Sequence, residues 1–201
     1  MNNIEKTRAE IKTYFDSDQS VNGSQSSSKS LTGDYHLETI EYQQSKPDVN
    51  WTVTEVKVFN KKTKKIIFEF FTDYHSFFHD WLIKEEAEYL IGAEVLCGGQ
   101  TIIDLSNGKM NSYCPPEDGF IWTDFFLSPS GHKLATIGCF WACPYEIRIY
   151  DFRHPLTLPL QEIEVISIQD TDKYLIEWID DKKLKIHCHD GQERTHSLET
   201  S

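Results

Sequence analysis

The chain has 201 residues and a net charge of −12, from 32 acidic and 20 basic side chains. Phosphate binding requires a concentrated basic face, so this charge argues against nucleic acid as the main partner. The sequence contains no run of about 18 apolar residues and no apolar signal core at its N-terminus, so we expect a cytoplasmic protein without a membrane span. The five cysteines are irregularly spaced, which in such a chain indicates free thiols rather than a disulfide framework.

The N-terminal segment, residues 1–16, is predicted to be a short amphipathic helix. Ile4, Ile11 and Phe15 fall on one helical stripe, and three turns of helix are marginal in water, so this helix must dock or fray. Residues 17–32 have almost no apolar content and are predicted to be a flexible linker. Residues 33–201 are predicted to form the folded domain.

That domain contains a weak internal repeat. Segments 88–92, 133–138 and 173–177 align, with 44 positions between Leu90 and Leu134 and 41 between Leu134 and Leu175. A period of roughly 40–45 residues with several short strands in each unit is typical of propeller blades. We therefore predict an all-β fold, a propeller-like array of about four antiparallel meander sheets. The predicted units span about 33–72, 77–113, 119–160 and 163–198.

The third unit carries a family resemblance. Residues 124–136 give a strand, a Ser-Pro-Ser-Gly turn and a second apolar strand, and residues 146–151 give a third strand that ends in Tyr150-Asp151. This pattern resembles a WD40-type blade, although the Gly-His dipeptide of that family is missing. The resemblance implies a radial array of four-stranded sheets used mainly for binding proteins. Whether the sheets close into a four-bladed ring or form an open, curved meander stays undecided.

Segment 138–146 is similar to a segment in a group of uncharacterised bacterial proteins with the pattern Cys-x-Trp-Ala-Cys-Pro-Tyr. In this chain the pattern covers Cys139 to Tyr145. The resemblance implies a bacterial origin and carries no information on activity.

The same segment is a candidate binding loop, because it joins two strands with two thiols, three aromatic side chains and a proline. Trp141 and Tyr145 are the expected anchors, with Phe140 and Trp122 beside them, since Trp and Tyr supply large contact areas at interfaces. The alternative is that the loop folds back and covers the blade edge or the channel. A disulfide between Cys139 and Cys143, or a two-thiolate metal clip, are further alternatives.

Histidines and carboxylates suggest other sites. His187 and His189 share one face of a strand, with His196 across the hairpin, although the alternation around them favours solvated side chains. His75 and His79 have helical spacing in a segment that otherwise favours a loop followed by a strand. Asp80 and Asp124 lie 44 positions apart, at the start of predicted innermost strands. They are candidates for acid–base or cation chemistry, or for hydrogen bonds to a neighbouring blade.

We interpret the sequence as a non-enzymatic protein-binding module that needs no cofactor or metal. Its partner is another protein, and the acidic charge suggests a basic one. Its binding residues would be Trp122, Phe140, Trp141 and Tyr145. One alternative is an immunity-type protein that neutralises a basic toxin. Another is a small metal-dependent hydrolase, built on Asp80 and Asp124 or on His187, His189 and His196.

Overall fold

The computed structural model describes residues 3–14, 20–44, 52–73, 77–94, 98–117, 119–141, 143–168, 175–188 and 191–199. These residues form one helix and fifteen strands. They are α1 (Asn3–Tyr14), β1 (Ser20–Lys29), β2 (Tyr35–Gln44), β3 (Thr52–Asn60), β4 (Lys65–Thr72), β5 (His79–Lys84), β6 (Ala87–Glu94), β7 (Gly99–Asp104), β8 (Lys109–Tyr113), β9 (Ile121–Leu127), β10 (Lys133–Cys139), β11 (Glu146–Asp151), β12 (Glu162–Ser167), β13 (Leu175–Asp180), β14 (Lys183–His187) and β15 (Glu193–Ser197).

The strands of the described residues form four antiparallel sheets, in which each strand pairs with the next one along the chain. Sheet 1 contains β1–β4, sheet 2 contains β5–β8, sheet 3 contains β9–β12 and sheet 4 contains β13–β15. The first strands of successive sheets lie side by side, since β5 contacts β9 and β9 contacts β13. This arrangement confirms the predicted all-β, propeller-like fold. Within the described residues the sheets form an open array rather than a closed ring.

Three apolar layers hold the array together, one between each pair of neighbouring sheets. The layers arise because successive residues of a strand point to opposite faces of the sheet. In sheet 2, Leu90 and Ile103 face sheet 1, whereas Ile91 and Ile102 face sheet 3. Sheets 1 and 2 share a cluster that includes Val56, Phe70 and Leu90. Trp122 and Phe125 belong to the cluster between sheets 2 and 3. Sheets 3 and 4 pack through a third cluster of aliphatic side chains, among them Ile137, Ile147, Ile149, Ile176, Leu184 and Ile186.

Strand β1 lies in the segment that the sequence suggests is a flexible linker. It pairs with β2 from Ser20↔Gln44 to Lys29↔His36, so the structure differs from the linker prediction over residues 20–29. The physical reason is that this strand depends on backbone hydrogen bonds to β2, which a count of apolar side chains does not detect. The predicted domain boundary at residue 33 therefore runs through sheet 1.

Helix α1 docks on the strands instead of fraying. Ile4 and Ile11 are buried, and with Val53 they form a small cluster against which Phe71 packs. Phe15, the third member of the predicted stripe, lies outside the described residues. The described part of the chain holds no helix with the length and apolar character needed to cross a membrane.

Candidate functional site

The candidate binding loop leaves sheet 3 at a glycine. Gly138 pairs with Trp122 next to a register shift in β9. A Cβ atom on Gly138 would lie 2.1 Å from the carbonyl oxygen of Ile121 and 2.8 Å from the ring of Phe120. Because no real side chain tolerates such contacts, glycine lets β10 approach β9 closely just before the loop begins.

Phe140 braces the loop against sheet 3 and does not project into solvent. The guanidinium carbon of Arg148 lies 4.8 Å from the centroid of the Phe140 ring and 4.5 Å from that of Phe120. The two rings meet edge to face at 5.7 Å. Arg148 also donates hydrogen bonds to Glu146 at 3.0 Å and to Glu162 at 2.6 Å. These contacts fix the start of the loop on β11.

Trp141 lies at the tip of the loop. The backbone N–H of Cys143 donates to the carbonyl of Phe140 at 3.0 Å, which closes a turn around Trp141. The Trp141 side chain is 62% exposed, the largest value among the exposed large hydrophobic residues that the structure describes. The loop therefore presents one large aromatic side chain to solvent on a braced turn.

Tyr145 returns the chain to sheet 3. Its half-buried ring packs against the cluster between sheets 3 and 4. Burial raises the pKa of Tyr145, and the nearby Cys139 and Asp124 raise it further. The alternative in which the loop folds back thus holds for Phe140 and Tyr145, whereas Trp141 stays outside.

Trp122 does not belong to this surface. Its side chain is fully buried, its indole N–H lies 3.4 Å from the Tyr150 hydroxyl, and its ring packs edge to face on Phe125. A buried Trp cannot contact a partner without opening the core, so the assignment of Trp122 as a binding residue is corrected. The prediction was wrong because a strand-like segment has the same sequence pattern whether its Trp side chain points into the core or into solvent.

The thiols of the loop are not joined. Cys139 and Cys143 are free, as is Cys188, while Cys97 lies outside the described residues. Burial raises the pKa of the Cys139 thiol, and proximity to Cys143 adds to this effect. A proton-bearing thiol is a poor metal ligand and nucleophile.

Asp80 and Asp124 are neighbours on the adjacent first strands of sheets 2 and 3. Burial raises the pKa of Asp80, and the negative charge of Asp124 contributes in the same direction. Asp80 accepts a hydrogen bond from the backbone N–H of Trp81 at 2.8 Å, and Asp124 accepts one from the Thr123 hydroxyl at 2.8 Å. The 44-residue repeat thus predicted their proximity, although both carboxylates bond within their own strands rather than across blades.

The histidine site suggested by the sequence does not assemble. His187 faces Glu177 and Glu193 on the outer face of sheet 4, whereas His196 reaches the opposite way to Glu164 of sheet 3. Partners on opposite faces of one sheet cannot bind a common ion, so a site that combines His187 and His196 is ruled out. His75 and His189 lie outside the described residues. Among the residues that the structure describes, no three His, Cys, Asp or Glu side chains are grouped to hold a metal.

Sequence reasoning missed Arg148 and Phe120, which hold the loop in place. A usable signal was present in β11, where Glu146, Arg148 and Tyr150 alternate onto one face. A cation in the middle of that face, between strands rich in aromatic residues, indicates cation–π contacts.

Comparison with known proteins supports the fold. No protein-family model matches the chain. The uncharacterized protein R762 of Acanthamoeba polyphaga mimivirus is 32% identical over 111 residues, which cover 52% of this chain and 42% of that protein. The β-propeller domain of Cps50 (Swd1) from Myceliophteria thermophila superimposes with a TM-score of 0.51 at 12% identity, covering 97% of this chain and 55% of that domain. Hsv2p of Kluyveromyces lactis gives a TM-score of 0.40 at 11% identity, covering 88% of this chain and 93% of that one.

The chain thus spans less than half of the viral relative and about half of the fungal domain. At such low identity the structural likeness shows the propeller fold alone. The match to a viral protein does not test the bacterial origin that the sequence suggests, which stays a prediction.

Proposed function

We propose that this protein is a non-enzymatic protein-binding module whose partner docks on the loop of residues 139–145. The observation that carries the proposal is Trp141, a large aromatic side chain that is 62% exposed on a closed turn. Truncation of Trp at an interface is among the costliest of side-chain changes, because one residue buries a large apolar area. The propeller fold and the WD40-type resemblance support the same class of function.

The bracing of the loop strengthens the proposal. Arg148 holds Phe140, and Tyr145 packs on the core, so both ends of the loop are fixed before a partner arrives. A preorganised loop loses little conformational entropy on binding, which raises affinity. Phe140 and Tyr145 therefore support the interface from its edges, and Trp141 is its anchor.

A basic partner suits the electrostatics. The chain has a net charge of −12. Within the described residues, Asp80 and Asp124 form no ion pair with Lys or Arg. Opposite charge on a partner speeds association and selects against acidic competitors. The immunity-type alternative predicts that this basic partner is a toxin, which the identity of the protein retained in the capture experiment below decides.

The test is affinity capture from lysate with wild type, Trp141→Ala and Leu31→Ala. Leu31 is a matched control, because it is 61% exposed but follows β1, away from the loop. We expect a partner that the wild type and Leu31→Ala retain and that Trp141→Ala loses, with all three proteins melting at the same temperature. Equal capture by Trp141→Ala, or no captured protein with any of the three, would count against the proposal.

A further inference from the structure

A concave surface lies at the end of sheet 3 opposite the loop of residues 139–145. It is a cleft of about 460 Å³ between sheets 3 and 4. Lys133 and Asp151 line it and pair with each other across β10 and β11. Lys133 opens β10 and Cys139 ends it, so the cleft lies about 20 Å from the binding loop, given a rise of roughly 3.3 Å per strand residue. This volume is within the range of ligand-binding pockets.

The cleft is cationic in an otherwise acidic protein. Its lining holds three basic side chains, Lys133, Arg153 and Lys182, and two acidic ones, Asp151 and Glu199. Arg153 donates hydrogen bonds to both carboxylate oxygens of Asp151, and this hydrogen bonding lowers the pKa of that carboxyl to about 2. Asp151 is therefore charged at neutral pH, where it forms an ion pair with Arg153.

Hydrogen-bond donors stay available in this lining. Lys182 forms no ion pair within the described residues, and its side chain is exposed. The Nη1 atom of Arg153 makes none of the hydrogen bonds that hold Asp151, which use Nε and Nη2. Lys133 donates from Nζ to the carbonyl oxygen of Asp181 at 2.8 Å. The cleft thus offers cationic donors to an incoming carboxylate.

The cleft also has an aliphatic side and an open strand edge. Ile163 is 37% exposed and lines the cleft together with Leu198. Ile163 belongs to β12, the outermost strand of sheet 3, and no described strand pairs with its outer edge. Such an edge offers backbone N–H and C=O groups to an extended peptide.

We propose that this cleft binds an acidic peptide in extended form. Its carboxylates face Lys182 and Arg153, an aliphatic side chain rests on Ile163, and its backbone runs along β12. Cationic donors, an apolar side and a free strand edge together fit a peptide, whereas a small anion would use only the first of these. This site is separate from the Trp141 surface, so the two proposals stand or fall independently.

The test measures the fluorescence anisotropy of a labelled peptide of alternating Glu and Leu, with a probe in which Gln replaces each Glu as its control. We expect the wild type to bind the Glu peptide at least tenfold more tightly than the Gln peptide, with affinity falling as salt rises. Lys182→Glu should weaken this binding at least tenfold. Lys109→Glu, a matched change at an exposed hairpin lysine, and Trp141→Ala should leave it unchanged.

The proposal is overturned by equal affinity for the Glu and Gln peptides, or by a Lys182→Glu variant that melts like the wild type and binds as it does. Free glutamate provides a further arm. Competition with the labelled peptide gives the Kd of free glutamate. A peptide that binds no more tightly than free glutamate would show that the cleft recognises a small carboxylate and not a peptide.

Discussion

His79 is held in one tautomer at the junction of sheets 1 and 2. Its Nδ1–H donates to the Phe77 carbonyl at 2.7 Å, so its Nε2 accepts from the Ser28 hydroxyl at 2.7 Å. The indole N–H of Trp81 donates to the same Ser28 oxygen at 3.1 Å. The three side chains tie β1 to β5. Burial lowers the pKa of His79, because it disfavours the charged imidazolium.

This arrangement predicts that acid weakens the fold through His79. The unfolded chain takes up a proton near the ordinary pKa of about 6.5, whereas the folded protein resists it to lower pH. Stability from neutral His79 is therefore complete above about pH 6.5 and is lost as the pH falls toward the lowered folded pKa. Urea unfolding at pH 7.5, 6.5 and 5.5 should show that wild type loses more stability on acidification than His79→Gln, by at most about 1.4 kcal/mol per pH unit.

The comparison with His79→Gln removes the contributions of the other titrating groups. Asp80 is the adjacent one, and its raised pKa acts in the opposite direction, because the folded protein then binds the acid proton more readily. Equal pH dependence of the two proteins would mean that His79 does not carry this effect.

Single residues also show where sequence reasoning stops. The pattern around residues 139–145 predicted Trp141 as an anchor, because a Trp with two cysteines is unusual in a strand connection. The structure shows that Trp141 is exposed, and its role as an anchor stays a prediction. Trp122 was assigned to the same surface, but it is buried. An aromatic side chain on a sheet points to solvent or to the next sheet depending on how the two sheets pack. A local sequence pattern contains no information on that packing.

Helix α1 shows how a marginal element is held. Arg8 forms a bidentate ion pair with Glu94, in which Nε lies 2.5 Å from Oε1 and Nη2 lies 2.6 Å from Oε2. The same Nη2 donates to the Ser112 hydroxyl at 2.9 Å. The Glu94 side chain is fully buried, and Arg8 also lies 4.7 Å from the Phe70 ring centroid. One arginine thus links the helix to sheets 1 and 2.

Replacement of Arg8 by alanine should lower the free energy of unfolding by about 3 kcal/mol, because it leaves the Glu94 charge buried without its partner. Urea denaturation is the measurement. Lys6→Ala is the control, since Lys6 and Glu10 form an exposed pair worth less than about 1 kcal/mol. A double variant, Arg8→Ala with Glu94→Gln, should recover part of the loss. An Arg8→Ala protein as stable as Lys6→Ala would contradict the account of the helix.

The strands show a different limit of prediction. The apolar pattern of the third unit predicted strands that match β9, β10 and β11, because each of them has buried apolar residues. Such a pattern missed β1, whose sequence Ser-Val-Asn-Gly-Ser-Gln-Ser-Ser-Ser-Lys has no apolar face. A strand that depends on its neighbour's backbone can be found only from the pairing itself.

At the scale of the whole molecule, the sequence predicted an array of about four sheets but left its closure open. The period of roughly 40–45 residues reports the size of one blade and not the curvature between blades, so it cannot distinguish a ring from an arc. In the structure the described sheets form an open array, and the chain matches about half of the fungal propeller domain. The two candidate sites lie at opposite ends of sheet 3, the Trp141 loop at one and the cationic cleft at the other.

The most direct test of the binding account is photo-crosslinking in the native host. Benzoylphenylalanine replaces Trp141 in one variant and Leu31 in the other, two positions of nearly equal exposure, 62% and 61%. We predict a covalent adduct with one protein at position 141, absent at position 31, and identified by mass spectrometry. No adduct at position 141, or the same adducts at both positions, would contradict the claim that the 139–145 loop is the binding surface.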